Sequence, residues 1–197
     1  RAPTNKKLYE IVKTETLAFL ALVKENRLLF HLFVFNFLKT AFVFWPMFVG
    51  SLLKFGVEET ETRQHFIIAL LIMQAVCIAA SYLIGFKKAF TLQSVIVGAA
   101  LSAVSIIGLA YSPYAWTHVM ALGGIYVGTT LSGIAESYIM KLEFPDRFRT
   151  QGLAFSVIPY YAGDIVGGFA AAGLLYYLDV NALLFLIGIG LLGLCLF

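Results

Sequence analysis

Hydrophobic residues in this chain occur in long runs that are nearly free of charge and are separated by short charged clusters. Six runs can be delimited, at 28–53, 66–86, 90–111, 115–140, 151–178 and 181–197. The first five are long enough for a helix to cross a hydrocarbon core, which takes about 20 residues. Runs such as FIIALLIMQAVCIAASYLI do not alternate apolar and polar residues, as transmembrane β-strands do. The pattern therefore predicts an all-α membrane protein, a bundle of six transmembrane helices.

Composition supports a membrane protein, and the placement of charge predicts its orientation. The chain is 60% hydrophobic and 13% charged, whereas soluble domains carry about 25% charged residues. Most basic residues lie before the first run or in the loops after the second and fourth runs, while the loop KFGVEETETRQH is acidic. By the positive-inside rule the basic loops and both ends of this segment are cytoplasmic. The net charge of +3 therefore reports topology and does not indicate a nucleic-acid partner.

Residues 1–27 form a separate lead-in, and residues 28–197 form the six-helix bundle. Within the lead-in, Ile11, Leu17, Leu20 and Ala21 lie near one face of a helix. We expect this helix to lie on the membrane surface or against the cytoplasmic ends of the bundle. The chain starts without an initiator Met and ends inside an apolar run, so we expect it to be part of a larger protein.

Two ionisable residues are predicted to lie deep in the membrane. Lys39 follows Arg27 by twelve residues and Asp164 follows Arg149 by fifteen, which correspond to about 18 Å and about 22 Å along a helix. Intramembrane charges are costly and usually mark substrate or proton paths. We hypothesise that Lys39 and Asp164 face the same cavity and partly neutralise each other. The alternative is a static buried pair that only fixes the register of the helices.

Glu136 lies closer to the cytoplasmic edge, about 7 Å from Lys141 along a helix. It could form an interfacial ion pair with Lys141, Arg147 or Arg149, and such a pair could act as a gate latch. The alternative role for Glu136 is that of a proton-carrying acid.

The spans also contain neutral polar residues and faces of small residues. The polar residues that could line a cavity are Asn36, Gln74, Tyr126, Tyr160 and Tyr161. Asn36 and Lys39 are three residues apart and hence share one helical face. Small residues repeat every fourth position at Gly124, Gly128 and Ser132, and again at Gly163, Gly167 and Ala171. Such faces allow helices to approach closely, and packing is their usual role.

Enzymatic and cofactor chemistry is not indicated by any motif. His31, His65 and His118 have no Cys, Glu or Asp at metal-ligand spacing, and no phosphate loop or nucleophile motif occurs. Cys77 and Cys195 lie within predicted spans without paired spacing, which favours small core residues over a disulfide. We therefore expect no cofactor, no metal and no enzymatic activity.

One segment resembles a known family. The stretch KLEFPDRFRTQGLAFSVIPYYAGDIVGG, residues 141–168, is similar to the junction of helices ten and eleven in major facilitator superfamily transporters. The matching residues are Glu136, Pro145, Arg147, Arg149, Gly152, Ala154, Gly163, Gly167 and Gly168. The lead-in LALVKENRLLF is similar to the chain just before helix seven of that family. The resemblance implies that the six spans are helices seven to twelve, the C-terminal half of the fold.

The resemblance also implies a function. It predicts a secondary active transporter that moves a small solute by alternating access, with the N-terminal six-helix half of the same transporter and the lipid bilayer as partners. The cavity residues would be Asn36, Lys39, Gln74, Tyr126, Tyr160 and Asp164, while Glu136, Asp164, Arg147 and Arg149 would serve proton coupling or gating. The loop GFKKAF departs from the family, because it lacks the usual acidic residue. This departure is the main support for the alternative, a transport-inactive membrane scaffold or receptor.

Overall fold

The computed structural model describes residues 5–45, 71, 75, 78–79, 82–83, 90–112 and 115–196. These residues form helices and no strand. The helices are α1 (Asn5–Glu25), α2 (Arg27–Trp45), α3 (Leu92–Ala110), α4 (Ala115–Glu143), α5 (Arg149–Phe155), α6 (Val157–Leu174) and α7 (Val180–Leu194), with a 3₁₀ turn at Asp146–Phe148. The predicted all-α class is confirmed over this part of the chain.

Three of the described helices are long and apolar enough to cross a membrane: α3, the Thr117–Glu143 part of α4, and α6. They coincide with the predicted third, fourth and fifth runs. The apolar helix α7 is shorter and coincides with the sixth run. Most of the predicted second run and the acidic loop before it lie outside the described residues, so the six-span count stays a prediction.

The predicted fifth run is divided into two helices. Helix α5 ends at Phe155, and α6 begins at Val157. The break follows from Pro159, which has no N–H to bond the carbonyl of Phe155 and whose ring would collide with that carbonyl in a continuous helix. The carbonyl of Ser156, between the two helices, accepts a side-chain hydrogen bond from Asn36.

Two pairs of helices are packed closely through small residues. Helix α3 packs mainly on α4 and α7, and α2 packs mainly on α6. A Cβ atom at Gly98 of α3 would lie 2.6 Å from the carbonyl oxygen of Gly128 and from the backbone nitrogen of Ser132. A Cβ atom at Gly167 of α6 would lie 2.7 Å from the Cα atom of Ala41 in α2. Both small-residue faces found in the sequence therefore pack backbone against backbone.

Helix α1 is attached to the bundle through aromatic contacts. The Phe19 side chain is 1% exposed, and its ring centroid lies 4.8 Å from that of Phe155 and 5.5 Å from that of Phe144. Leu17 and Leu20, on the apolar face found in the sequence, are exposed. Contact with the bundle is made by the face that carries Phe19, so the predicted apolar face does not pack on the bundle, and its contact with the membrane surface stays a prediction.

Candidate functional site

A cavity of about 380 Å³ lies between α2, α4 and α6. Helix α2 contributes Asn36, Lys39 and Thr40 to its lining. Its opposite walls include Glu136 from α4 and Asp164 from α6. Because α2 contacts both α4 and α6, the cavity lies where these three helices come together. It contains the ionisable residues that the sequence predicted to lie deepest in the membrane.

Lys39 and Glu136 form a buried ion pair that joins α2 to α4. Lys39 is 4% exposed and Glu136 is 1% exposed. Ser132, one turn before Glu136 on α4, donates a hydrogen bond of 2.6 Å to the Glu136 carboxylate. The Lys39 ammonium also donates to the Ser132 hydroxyl, at 3.3 Å. The two buried charges are therefore paired and hydrogen-bonded, as buried charges must be to be stable.

This pairing corrects the prediction that Lys39 is neutralised by Asp164. The two residues do line one cavity, as predicted, but the carboxylate in contact with the Lys39 ammonium is that of Glu136. The prediction compared only the depths of the residues along their helices. Depth gives no information on the direction in which a side chain points around its helix axis.

The ion pair predicted between Glu136 and Lys141, Arg147 or Arg149 is not the one observed, because Glu136 pairs with Lys39. Helix α4 continues to Glu143, so Glu136 lies about two turns inside it, and its side chain points into the bundle. The arginines proposed as its partners are engaged elsewhere. Arg147 pairs with Glu15 of α1, and Arg149 pairs with Asp146 at 2.7 Å. Neither arginine lines the cavity.

Asp164 contributes a carboxyl group with an unsatisfied oxygen. Its Oδ1 atom is buried and has no hydrogen-bond partner among the described residues. Tyr160 and Tyr161 line the cavity beside it, and their ring centroids lie 5.4 Å apart in an edge-to-face arrangement. Buried polar atoms in proteins are normally hydrogen-bonded. The Asp164 carboxyl therefore has hydrogen-bonding capacity that the described residues leave unused.

The polar groups of α2 connect the cavity to the helix break. The side-chain amide of Asn36 donates to the carbonyl of Ser156 at 3.4 Å. The Thr40 hydroxyl lies 2.9 Å from the Asn36 carbonyl and 3.2 Å from the Tyr160 carbonyl. These contacts fix α2 against the start of α6. They also hold the residues of this wall in place.

The sequence did not identify Thr40 or Ser132 as members of the site. Both lie one helical turn from a residue that it did identify, since Thr40 is four residues after Asn36 and Ser132 is four residues before Glu136. A search for hydroxyl residues at this spacing would have found them. Ser132 was noted only as a small packing residue.

Two other residues predicted to line the cavity, Tyr126 and Gln74, are not found in its described lining. Tyr126 packs against an apolar cluster that includes Ile125 and Leu122, and it is not part of the cavity lining. Gln74 lies outside the described residues. In the part of the chain that the structure describes, no group of three or more His, Cys, Asp or Glu residues could hold a metal ion.

No protein-family model, curated protein or solved structure matches this chain. The class of protein therefore rests on the structure itself. The described residues form an all-helical structure with three helices long and apolar enough to cross a membrane, and Lys39, Glu136 and Asp164 line one cavity in it.

Proposed function

We propose that this chain is part of a secondary transporter that moves a small solute across a membrane by alternating access. The observation that carries the proposal is the cavity between α2, α4 and α6, whose lining includes the buried Lys39–Glu136 pair and Asp164, which forms no ion pair with a described residue. Substrate sites of such transporters lie near the midplane of the bilayer, between helices of the bundle. Two of the three helices that line the cavity, α4 and α6, are long and apolar enough to cross a membrane.

The combination of charge and space supports transport over a purely structural role. An ion pair that only fixes the register of two helices needs neither a cavity beside it nor a third charged residue next to it. Here a cavity of about 380 Å³ adjoins the pair, and Asp164 extends the charged lining to a third helix. Ionisable residues in membrane helices usually face such water-filled or substrate-filled spaces.

The Lys39–Glu136 pair is suited to act as a gate contact. Helix α2 packs mainly on α6 and makes smaller contacts with α4. The ion pair therefore crosses a less extensive helix interface, where a rearrangement breaks few apolar contacts. Glu136 and Asp164 are the acids that would respond to a proton gradient in this proposal.

The proposal includes a second set of helices that completes the cavity. The α6 side chains Ile158, Ile165 and Val166 are apolar and exposed. They lie on the same helix as Asp164. An N-terminal six-helix half, as the resemblance to major facilitator superfamily transporters implies, would cover this face. The solute would then bind between the two halves.

Flux measurements with the full-length protein in liposomes test this proposal. Uptake of cationic, neutral and anionic solutes would be measured with and without an imposed pH gradient, for the wild type, Lys39→Ala and Asp164→Asn. Asp146→Asn is a matched control, because the Asp146 side chain is 88% exposed and lies outside the cavity lining. We expect flux to fall in the two cavity variants and to be retained in the control. Unchanged flux in both cavity variants would refute a role of this cavity in transport.

A further inference from the structure

We infer that the cavity binds an organic cation carrying one positive charge, with the Asp164 carboxylate as its counter-ion and the tyrosines beside it as aromatic contacts. This inference rests on the proposed transport function and specifies the substrate class of the same site. The juxtaposition that carries it is a carboxylate without an ion-pair partner among the described residues, next to the Lys39–Glu136 ion pair and two tyrosines, in the lining of one cavity.

The charges that line the cavity do not cancel. Its described lining contains one lysine, Lys39, and two carboxylic acids, Glu136 and Asp164. Lys39 and Glu136 neutralise each other by direct contact. With both acids ionised, the described lining has a net charge of −1, which one positive charge on a ligand would balance.

The hydrogen bonds of the lining lead to the same conclusion. The Lys39 ammonium contacts both Glu136 and Ser132, and the Glu136 carboxylate also accepts from Ser132. An anionic ligand would have to compete with Glu136 for Lys39, and it would be repelled by Asp164. Asp164 lines the cavity and forms no ion pair with a described residue, so a cation can pair with its carboxylate without displacing an existing counter-ion.

The aromatic and apolar parts of the lining suit an organic cation better than a metal ion. Tyr160 and Tyr161 stand beside Asp164, and tyrosine rings attract cations through their negative faces. The apolar side chains of Val43, Met140 and Val157 also line the cavity, so the site offers a surface for an apolar body. A single carboxylate is a poor cage for a hard metal ion, which prefers six or more oxygen ligands.

The test measures the binding of permanently charged cations to the purified full-length protein. Radiolabelled choline, tetraethylammonium and tetraphenylphosphonium serve as probes, because none of them can lose its charge by deprotonation. The neutral isostere of choline, 3,3-dimethylbutan-1-ol, serves as a competitor of the same shape. The variants are Asp164→Asn, Asp164→Glu and the exposed control Asp146→Asn, each checked for thermal stability before use.

We expect at least one cation to bind the wild type, with no competition from the neutral isostere. Asp164→Asn should weaken that binding by about 10- to 100-fold, the usual effect of losing a charged hydrogen-bond partner. Asp164→Glu should retain most of the binding because it keeps the charge, and Asp146→Asn should bind as the wild type does.

Three results would overturn the inference. The first is a failure of all three cations to bind. The second is equally tight binding to the wild type and Asp164→Asn. The third is a loss of proton-driven flux in Asp164→Asn with unchanged cation binding, which would make Asp164 a proton site only. Cation binding that depends on Asp164, in a protein without flux of any solute, would support the inference and overturn the transport proposal.

Discussion

Replacing Glu136 with Gln separates the energetic role of the buried ion pair from that of the cavity. The substitution keeps the size of the side chain and removes its charge. It leaves the Lys39 ammonium at a position that is only 4% exposed, with the Ser132 hydroxyl as its remaining hydrogen-bond partner among the described residues. An uncompensated charge at such a position is strongly destabilising.

The expected loss follows from measured effects of breaking buried ion pairs, which are about 3–5 kcal/mol in the free energy of unfolding. For a chain of this size, 1 kcal/mol corresponds to a shift of about 2–4 °C in Tm. We therefore expect Glu136→Gln to lower Tm by roughly 6–20 °C. The double variant Lys39→Met/Glu136→Gln removes both charges and should recover most of that loss, because neutral replacements of buried pairs are often tolerated.

Asp164→Asn is the matched control for this experiment. It also converts a carboxylate of the cavity lining to an amide, but the Oδ1 atom of Asp164 has no partner among the described residues. Its replacement leaves no other described charge unpaired. We therefore expect Tm to change by less than about 4 °C, corresponding to less than about 1 kcal/mol.

The assay is thermal unfolding of the purified full-length protein in one detergent, with all variants heated at the same rate because membrane proteins commonly unfold irreversibly. Two results would refute the reasoning. One is a double variant that is no more stable than Glu136→Gln, since this would show that the two charges are not coupled. The other is a loss of stability in Asp164→Asn as large as that in Glu136→Gln.

Two further predictions concern packing, and both use Tm in the same detergent. Gly98→Ala should lower the free energy of unfolding by about 1–3 kcal/mol, because its Cβ atom would lie 2.6 Å from the backbone of α4. Gly108→Ala on the same helix is the control and should leave the free energy of unfolding unchanged, since nothing lies within 4 Å of its added Cβ. Equal effects of the two substitutions would refute the close approach of α3 and α4. Phe19→Ala should cost about 3–5 kcal/mol, whereas Arg147→Ala should cost less than about 1 kcal/mol, because the Arg147 side chain is 67% exposed. A larger loss in Arg147→Ala than in Phe19→Ala would show that the ion pair with Glu15, and not the aromatic cluster, holds α1.

The sequence predicted the depth of Lys39 and Asp164 along their helices correctly enough to place both at one cavity, but it did not predict which acid pairs with Lys39. Counting residues from Arg27 and Arg149 placed Lys39 and Asp164 at similar depths, and both do line one cavity. The choice between Asp164 and Glu136 as the partner of Lys39 depends on the rotation of each helix about its axis. That rotation is set by tertiary packing, which a count along one helix does not contain.

The small-residue pattern shows which part of this information was present in the sequence. Glycines on α4 were predicted to form a packing face, and the contact between Gly98 and Gly128 confirms it. With this face directed at α3, the rotation of α4 is fixed, and the direction of Glu136 with it. The missing knowledge was the identity of the opposing helix, because more than one helix has small residues at this spacing: Ser94, Gly98 and Ser102 on α3 repeat every fourth position, as do Gly163, Gly167 and Ala171 on α6. The sequence could name the packing face but not its partner.

The packing also indicates where this bundle can rearrange. Helices α3 and α4 approach closely at Gly98, and helices α2 and α6 approach closely at Gly167, so each of these pairs is tightly packed. The interface of α2 with α4 is smaller than either of these, and it contains the cavity and the Lys39–Glu136 ion pair. Because the Coulomb energy of an ion pair is larger in a low-dielectric interior than in water, separating Lys39 from Glu136 would cost more than separating an exposed pair. The buried charges thus lie at the smaller interface between two closely packed helix pairs, which is where the proposed alternating-access movement would act on them.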